Sequence, residues 1–167
     1  ANGASIPRIG LGTFRLTGET CTAAVTAALA AGYRHLDTAA MYGNEAEVGQ
    51  GLAASAMPRD DVFVTTKVWW EDIGPGRLER SAETSLKKLG LSRVDLLLIH
   101  WPNPAVPLAD CIGALCAADI GGLLGKERLG PRDLFRQHLV PAGVLFVDAR
   151  QFLKAGTFAV EEGERLR

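Results

Sequence analysis

A recurrence in the sequence most constrains the fold. Short apolar or β-branched runs begin at Tyr33, Val62 and Val94, about thirty residues apart, and the intervals carry Ala-rich or Glu/Arg-rich stretches with helical spacing. That interval is the length of one βαβ unit, and such units build parallel sheets. The run Val62–Thr66 (VFVTT) has four β-branched residues and one aromatic, a composition that suits a pleated surface. Val94–Ile99 (VDLLLI) is nearly all apolar, as befits a strand covered on both faces. Ile9–Leu11 and Tyr33–Leu36 complete the expected strands of the first two-thirds of the chain.

Helices are expected between these runs. Gly18–Ala31 is rich in Ala and stops at Gly32. Asn44–Ser55 opens on an Asn cap with Glu45 and Glu47 in the first turn, where the helix dipole favours carboxylates. Pro75–Leu89 starts on Pro and ends at Gly90, and Pro107 to about Ala118 supplies a fourth helix.

Parallel barrels and doubly wound sheets both fit this alternation; the polar residues separate them. Asp37 follows the second run, Lys67 follows VFVTT and His100 follows VDLLLI, so three ionisable groups fall at the C-terminal ends of three parallel strands. That rim is where (β/α)8 barrels place their chemistry. Tyr42 lies five residues past Asp37, in the loop on the same rim. Singly, each has a plainer reading: the Asp as a turn former, the Lys as a solvated strand end, His100 as a core imidazole. His35, inside its strand, is read as structural. The joint placement of Asp, Lys, His and Tyr on one face defines the site.

Composition narrows the partners. At 167 residues and 47% hydrophobic, the chain can bury one sizeable core. A net charge of −1 provides no single-sign field for a phosphate backbone or an anionic membrane, so neither nucleic acid nor membrane is expected as a partner. No apolar run approaches the ~20 residues of a spanning helix, and Ala1–Pro7 lacks the pattern of a secretory signal. Cys21, Cys111 and Cys116 form no Cys-x-x-Cys pair, and His35, His100 and His138 have no metal-site spacing. A cytoplasmic protein with reduced thiols and no metal is expected.

The four rim residues suit a carbonyl awaiting hydride, whose oxygen becomes an alkoxide and needs a proton donor. A phenol serves, and a nearby cation brings proton donation closer to working pH. Lys67 is the candidate cation, Asp37 its counter-charge, and His100 a donor that orients the carbonyl. The set holds no nucleophile apart from a desolvated Lys67, so the hydride must come from a cofactor.

At these residues the sequence resembles the aldo-keto reductases. The matching stretches are IPRIGLGTF (6–14), GYRHLDTAAMYGNEAEVGQGL (32–52), VFVTTKVW (62–69), SLKKLGLSRVDLLLIHWP (85–102) and, more faintly, PLADCIGALC (107–116). The resemblance implies a (β/α)8 TIM barrel and an NADP-dependent oxidoreductase that reduces aldehydes or ketones. It makes Tyr42 the general acid, Lys67 and Asp37 the pair that tunes it, and His100 the residue that orients the substrate. It also implies that Gly12, Thr13 and Asp37 lie near NADP (NADPH), and that Phe14, Trp69 and Trp101 line the pocket for a small-molecule carbonyl substrate.

Two glycine patterns are set aside. Gly49-Gln50-Gly51-Leu52-Ala53-Ala54 fits a dinucleotide fingerprint but follows a helical segment rather than a strand, and Gly10-Leu11-Gly12 lacks the third glycine and reads as a barrel-rim turn.

The resemblance stops near residue 116, so the chain divides into a barrel-like part, 1–118, and an unmatched tail, 119–167. The tail offers a helix near Arg132–Leu139 and a strand at Val144–Asp148, and no counterpart of the family's basic loop for the adenosine phosphate. A full barrel takes roughly 250 residues. The expectation is therefore a partial, truncated barrel of about four βα units with an irregular C-terminal tail and two unpaired sheet edges. Self-association through those edges, as a non-catalytic half barrel, is the alternative to catalysis; a Schiff-base lyase using Lys67 is a minor one.

Overall fold

The computed structural model describes residues 5–120 and 145–148. Five parallel strands form one sheet: β1 (Ile9–Gly12), β2 (His35–Asp37), β3 (Phe63–Val68), β4 (Leu96–Ile99) and β5 (Leu145–Asp148), in the order β4-β3-β2-β1-β5. Four helices alternate with the first four strands: α1 (Gly18–Ala30), α2 (Glu45–Ala54), α3 (Arg77–Leu89) and α4 (Leu108–Ile120). This is the βα repetition that the thirty-residue recurrence implies.

Register explains how the sheet acquires two different faces. Leu11 pairs with Leu36 and Leu36 with Val64, while Thr66 pairs with Leu97. These residues lie on one face, buried in a core with Val25, Leu29, Val48, Leu52, Leu78 and Leu86 of the helices. Successive side chains alternate across a strand, so the opposite face carries His35, Asp37, Phe63, Thr65, Lys67 and Leu98. Gly12 pairs with Asp37, Asp37 with Thr65, and Lys67 with Leu98.

The glycines of the discarded fingerprint have a packing role. In α2, a Cβ on Gly49 would lie 2.6 Å from the Leu89 carbonyl carbon of α3, and one on Gly51 would lie 2.8 Å from the Thr22 oxygen of α1. The small residues let α2 press against both neighbours, and Thr26 Oγ1 donates to the Gly51 carbonyl at 3.1 Å.

Several expectations are corrected. Lys67 lies inside β3 rather than after it, because the strand runs on to Val68, and Asp37 is the last residue of β2. Gly10 belongs to β1 rather than to a turn; a side chain there would meet His35 Nδ1 at 2.9 Å. Helix α3 begins at Arg77, two residues beyond Pro75, with Gly76 in the left-handed region at its start. Its C-terminus is as expected, with Gly90 at φ 66° and the Leu91 N–H donating to the Leu86 carbonyl at 3.0 Å. The strand expected at Val144–Asp148 forms, as β5, and pairs with β1 from Ile9↔Leu145 to Gly12↔Asp148, so the unpaired edge expected at β1 is covered. Among the described residues β4 pairs on one side only. The helix expected near Arg132–Leu139 lies outside the described residues. No described helix is long and apolar enough to cross a membrane.

Candidate active site

The site forms at the C-terminal ends of β1 to β4. Alternation places Asp37 and Lys67 on one face of neighbouring strands, and the continuation of β4 brings His100 level with them, its N–H donating to the Val68 carbonyl at 2.9 Å. Between β2 and α2 a single helical turn, Ala40–Tyr42, closes on Gly43 at φ 69°, a left-handed conformation that glycine adopts without steric cost. That turn swings Tyr42 back over the strand ends.

Lys67 is the hub. Its Nζ donates to Asp37 Oδ1 at 2.6 Å, to the Thr38 carbonyl at 3.0 Å and to Tyr42 Oη at 3.4 Å. An ammonium has three N–H donors, and each has an acceptor here. The ion pair is largely withdrawn from water, with 14% of the Lys67 side chain and 10% of the Asp37 side chain exposed. Mutual charge and the Thr38 carbonyl offset the desolvation that either group alone would suffer.

Aromatic rings surround this polar centre. Tyr42 meets His100 edge to face with centroids 5.6 Å apart, and Trp69 meets His100 edge to face at 5.4 Å. Phe14 packs on Tyr42 at 5.0 Å, and Trp101 stacks near His100 at 6.4 Å. Phe14 is 44% exposed and Trp101 60% exposed, so both stand at the open mouth instead of in the core. Burial, and then the positive charge of Lys67, push the His100 imidazole below its ordinary pKa, with Asp37 opposing. The ring is therefore neutral at neutral pH, and its Nδ1 is buried with no hydrogen-bond partner among the described residues.

The structure thus brings together Asp37, Tyr42, Lys67 and His100, with Phe14, Trp69 and Trp101 around them. Gly12 and Thr13 lie beside Asp37 at the end of β1, where the Thr13 N–H and Oγ1 both donate to the Asp37 carbonyl, at 3.0 and 3.1 Å. His35 is structural, as its position inside a strand suggested. It is buried with Nε2 2.9 Å from Thr65 Oγ1 and stacked edge-on against Phe63, and burial lowers its pKa.

Two residues at the start of α2 stand where the sequence puts them but turn their side chains inward. Asn44 makes no side-chain cap bond to α2; its Nδ2 donates to the carbonyls of Thr13 (2.7 Å) and Leu16 (2.9 Å), and its Oδ1 accepts from Thr38 Oγ1 (3.1 Å). Glu45 stands in the first turn of α2, as expected, and is buried there, with Oε1 accepting from Thr66 Oγ1 at 2.6 Å. The sequence held one usable signal: Asn44 sits between the rim loop and α2, within reach of any strand end beside it.

Chemically, this group can donate and relay a proton and can hydrogen-bond an oxyanion. None of its members can deliver a hydride. Residues 8–125 match the family model described as the aldo/keto reductase family. Methylglyoxal reductase DkgB of Salmonella typhi is 48% identical over 121 residues, which are 71% of this chain and 45% of that protein. An aldo-keto reductase of Mycobacterium sp. (strain MCS) is 52% identical over 101 residues, 60% of this chain and 36% of its own length. Among solved structures, the aldo-keto reductase MGS-M4 from a Medee basin deep-sea metagenome library superposes with a TM-score of 0.70 at 44% identity, over 74% of this chain and 45% of that one. The Bombyx mori aldo-keto reductase, solved in complex with NADP, gives a TM-score of 0.68 at 36% identity, over 74% and 46% of the two chains. The chain spans about half the length of the curated relatives it matches. The parallel βα repetition agrees with these matches, and the chain belongs to the aldo/keto reductase family.

Proposed function

We propose that this site serves the NADP-dependent reduction of small aldehydes and ketones, with Tyr42 as general acid. The observation that carries the reading is the Lys67 ammonium, held between Asp37 Oδ1 at 2.6 Å and Tyr42 Oη at 3.4 Å at the aromatic mouth. A bound reduced nicotinamide would supply the hydride to the carbonyl carbon. The Tyr42 O–H gives its proton to the carbonyl oxygen as negative charge develops there, so the product is an alcohol and the phenolate is left beside Lys67. His100 donates a hydrogen bond that orients the carbonyl, and Phe14, Trp69 and Trp101 give the substrate an apolar wall. Gly12, Thr13 and Asp37 are the residues of this chain assigned to the nicotinamide end of NADP. Methylglyoxal, named in a relative, is the first substrate to try, and we propose the cytoplasm as the setting of the reaction. All three N–H bonds of Lys67 have acceptors, which favours this role over a Schiff-base lyase, where a free lone pair is needed.

The test is NADPH fluorescence titration together with turnover of methylglyoxal by the wild-type chain and by Tyr42→Phe. Micromolar NADPH binding with turnover that falls about 100- to 10,000-fold in Tyr42→Phe, at unchanged cofactor affinity, supports the reading. Turnover that survives the substitution refutes Tyr42 as the acid.

One observation favours a second reading, a half barrel that self-associates and does not catalyse: β4 pairs on one side only among the described residues. Size-exclusion chromatography separates the two, because a monomer that binds NADPH excludes the second.

A further inference from the structure

The contacts around Asn44 close into a ring. Lys67 Nζ donates to Asp37 Oδ1 and to the Thr38 carbonyl. The Asp37 carbonyl accepts from Thr13 N–H and Oγ1. The Thr13 carbonyl accepts from Asn44 Nδ2, and Asn44 Oδ1 accepts from Thr38 Oγ1, which leads back to the residue that holds Lys67. Thr13, Thr38 and Asn44 are each no more than 1% exposed, so these bonds are made out of water. A buried polar group without a partner costs much more than one with a partner, so each bond of the ring supports the next.

From this ring we infer that Asn44 is a positioning residue for the proton-donating site, an inference that rests on the function proposed above. Asn44 touches neither Tyr42 nor Lys67 through any of these bonds; it acts through the segments that carry their neighbours. Its two N–H donors bind both ends of the segment Thr13–Leu16, which contains Phe14, the ring packed on Tyr42 at 5.0 Å. Its oxygen holds Thr38, whose carbonyl is the second acceptor of the Lys67 ammonium. One amide thus locks the loop after β1 to the loop after β2. Only a side chain with two donors and an acceptor at this reach satisfies all three partners, which selects Asn over the isosteric Asp and Leu.

The variants are Asn44→Asp, whose carboxylate faces the Thr13 and Leu16 carbonyls with no donor, and Thr38→Val, which removes the donor to Asn44 while keeping the branched shape. Thr38→Ser keeps the hydroxyl and is the rescue. The chain has two tyrosines, so labelled Tyr42 is assigned in the NMR spectrum of the full chain by its loss in Tyr42→Phe. The expected result is a ring-to-ring nuclear Overhauser effect between Phe14 and Tyr42 in wild type and Thr38→Ser, lost in Asn44→Asp and Thr38→Val. In parallel, kcat falls about 10- to 100-fold with KM for the carbonyl changing less than about threefold, as misplacement of a reacting group predicts. If Asn44→Asp does not fold, Thr38→Val decides alone. A preserved Phe14–Tyr42 contact together with an unchanged kcat, in folded Asn44→Asp or, where only it folds, in Thr38→Val, overturns the inference. A wild-type chain that shows the contact but no turnover defeats the proposed function while leaving the positioning role measurable.

Discussion

Replacing Lys67 with Met removes a cation and leaves the Asp37 carboxylate, 10% exposed, facing the site without its counter-charge. Breaking a fully buried pair by removing one partner costs about 3–5 kcal/mol. The residual exposure of both side chains reduces this, and the loss of the Thr38 carbonyl's donor adds to it, for a net loss of about 2–4 kcal/mol. In a chain of this size each kcal/mol lowers Tm by roughly 2–4 °C, so a fall of about 5–15 °C is expected. The informative comparison is the cycle with Asp37→Asn. The double variant Asp37→Asn/Lys67→Met has no buried charge left to strand and regains at least half of the stability lost in Lys67→Met. Thermal melts of the four proteins by circular dichroism measure a coupling of about 1–3 kcal/mol. Strictly additive losses would refute the reasoning, because they would show that neither charge depends on the other for its place in the fold.

Two helix glycines should respond oppositely to the same substitution. Gly49→Ala puts a methyl group into the Leu89 backbone and loses about 1–3 kcal/mol despite better helix propensity, whereas Gly113→Ala, with open space around it, gains about 0.5–1 kcal/mol; urea melts read both. The folded-state pKa values of His35 and His100 are lowered mainly by burial, so below the ordinary imidazole value of about 6.5 the unfolded chain binds more protons than the folded one. Their stabilising contribution is complete above that pH and is lost as pH falls through it toward the folded values. Tm should therefore drop from pH 7.5 to 5.5, and a flat profile would contradict the burial of both rings. Burial and the Glu47 charge push the Cys21 thiol up to about 11, so under native conditions a thiol reagent should modify the half-buried Cys116 and spare Cys21, as peptide mapping would show.

The recurrence of strands was legible because period and composition agree. VFVTT and VDLLLI can hardly be anything but strands, and the intervals between them fit one helix each. Boundaries were less legible for physical reasons. A strand ends where its neighbour stops pairing, and β3 runs on to Val68 because β4 offers partners as far as Ile99, which no local propensity records. Pro75 signalled a helix start correctly in kind, but the left-handed Gly76 delays the first turn. The pairing of β5 with β1 is the most non-local feature, joining residues more than 130 positions apart, and only the strand itself was visible in the sequence.

The charged members of the site were legible for a related reason. Strand-end position and side-chain alternation are both sequence properties, so Asp37, Lys67 and His100 fall on one face once the sheet is parallel. Asn44 and Glu45 were not legible, because at a helix start the same residue types satisfy a cap or a dipole locally, and sequence cannot say whether the side chain turns inward instead. What decides it is competition for partners. The Thr13 carbonyl already accepts from the Leu16 N–H at 3.1 Å, and the Asn44 amide adds a second donor there and one at the Leu16 carbonyl, bracing a turn whose Phe14 and Arg15 are exposed. These two carbonyl acceptors of the β1 loop take up the amide that a helix cap would otherwise use. A chain that places polar rim loops side by side in a dry interior must supply such cross-links. They are therefore to be sought first where an Asn, Gln or Thr stands within a few residues of a proton-transferring group.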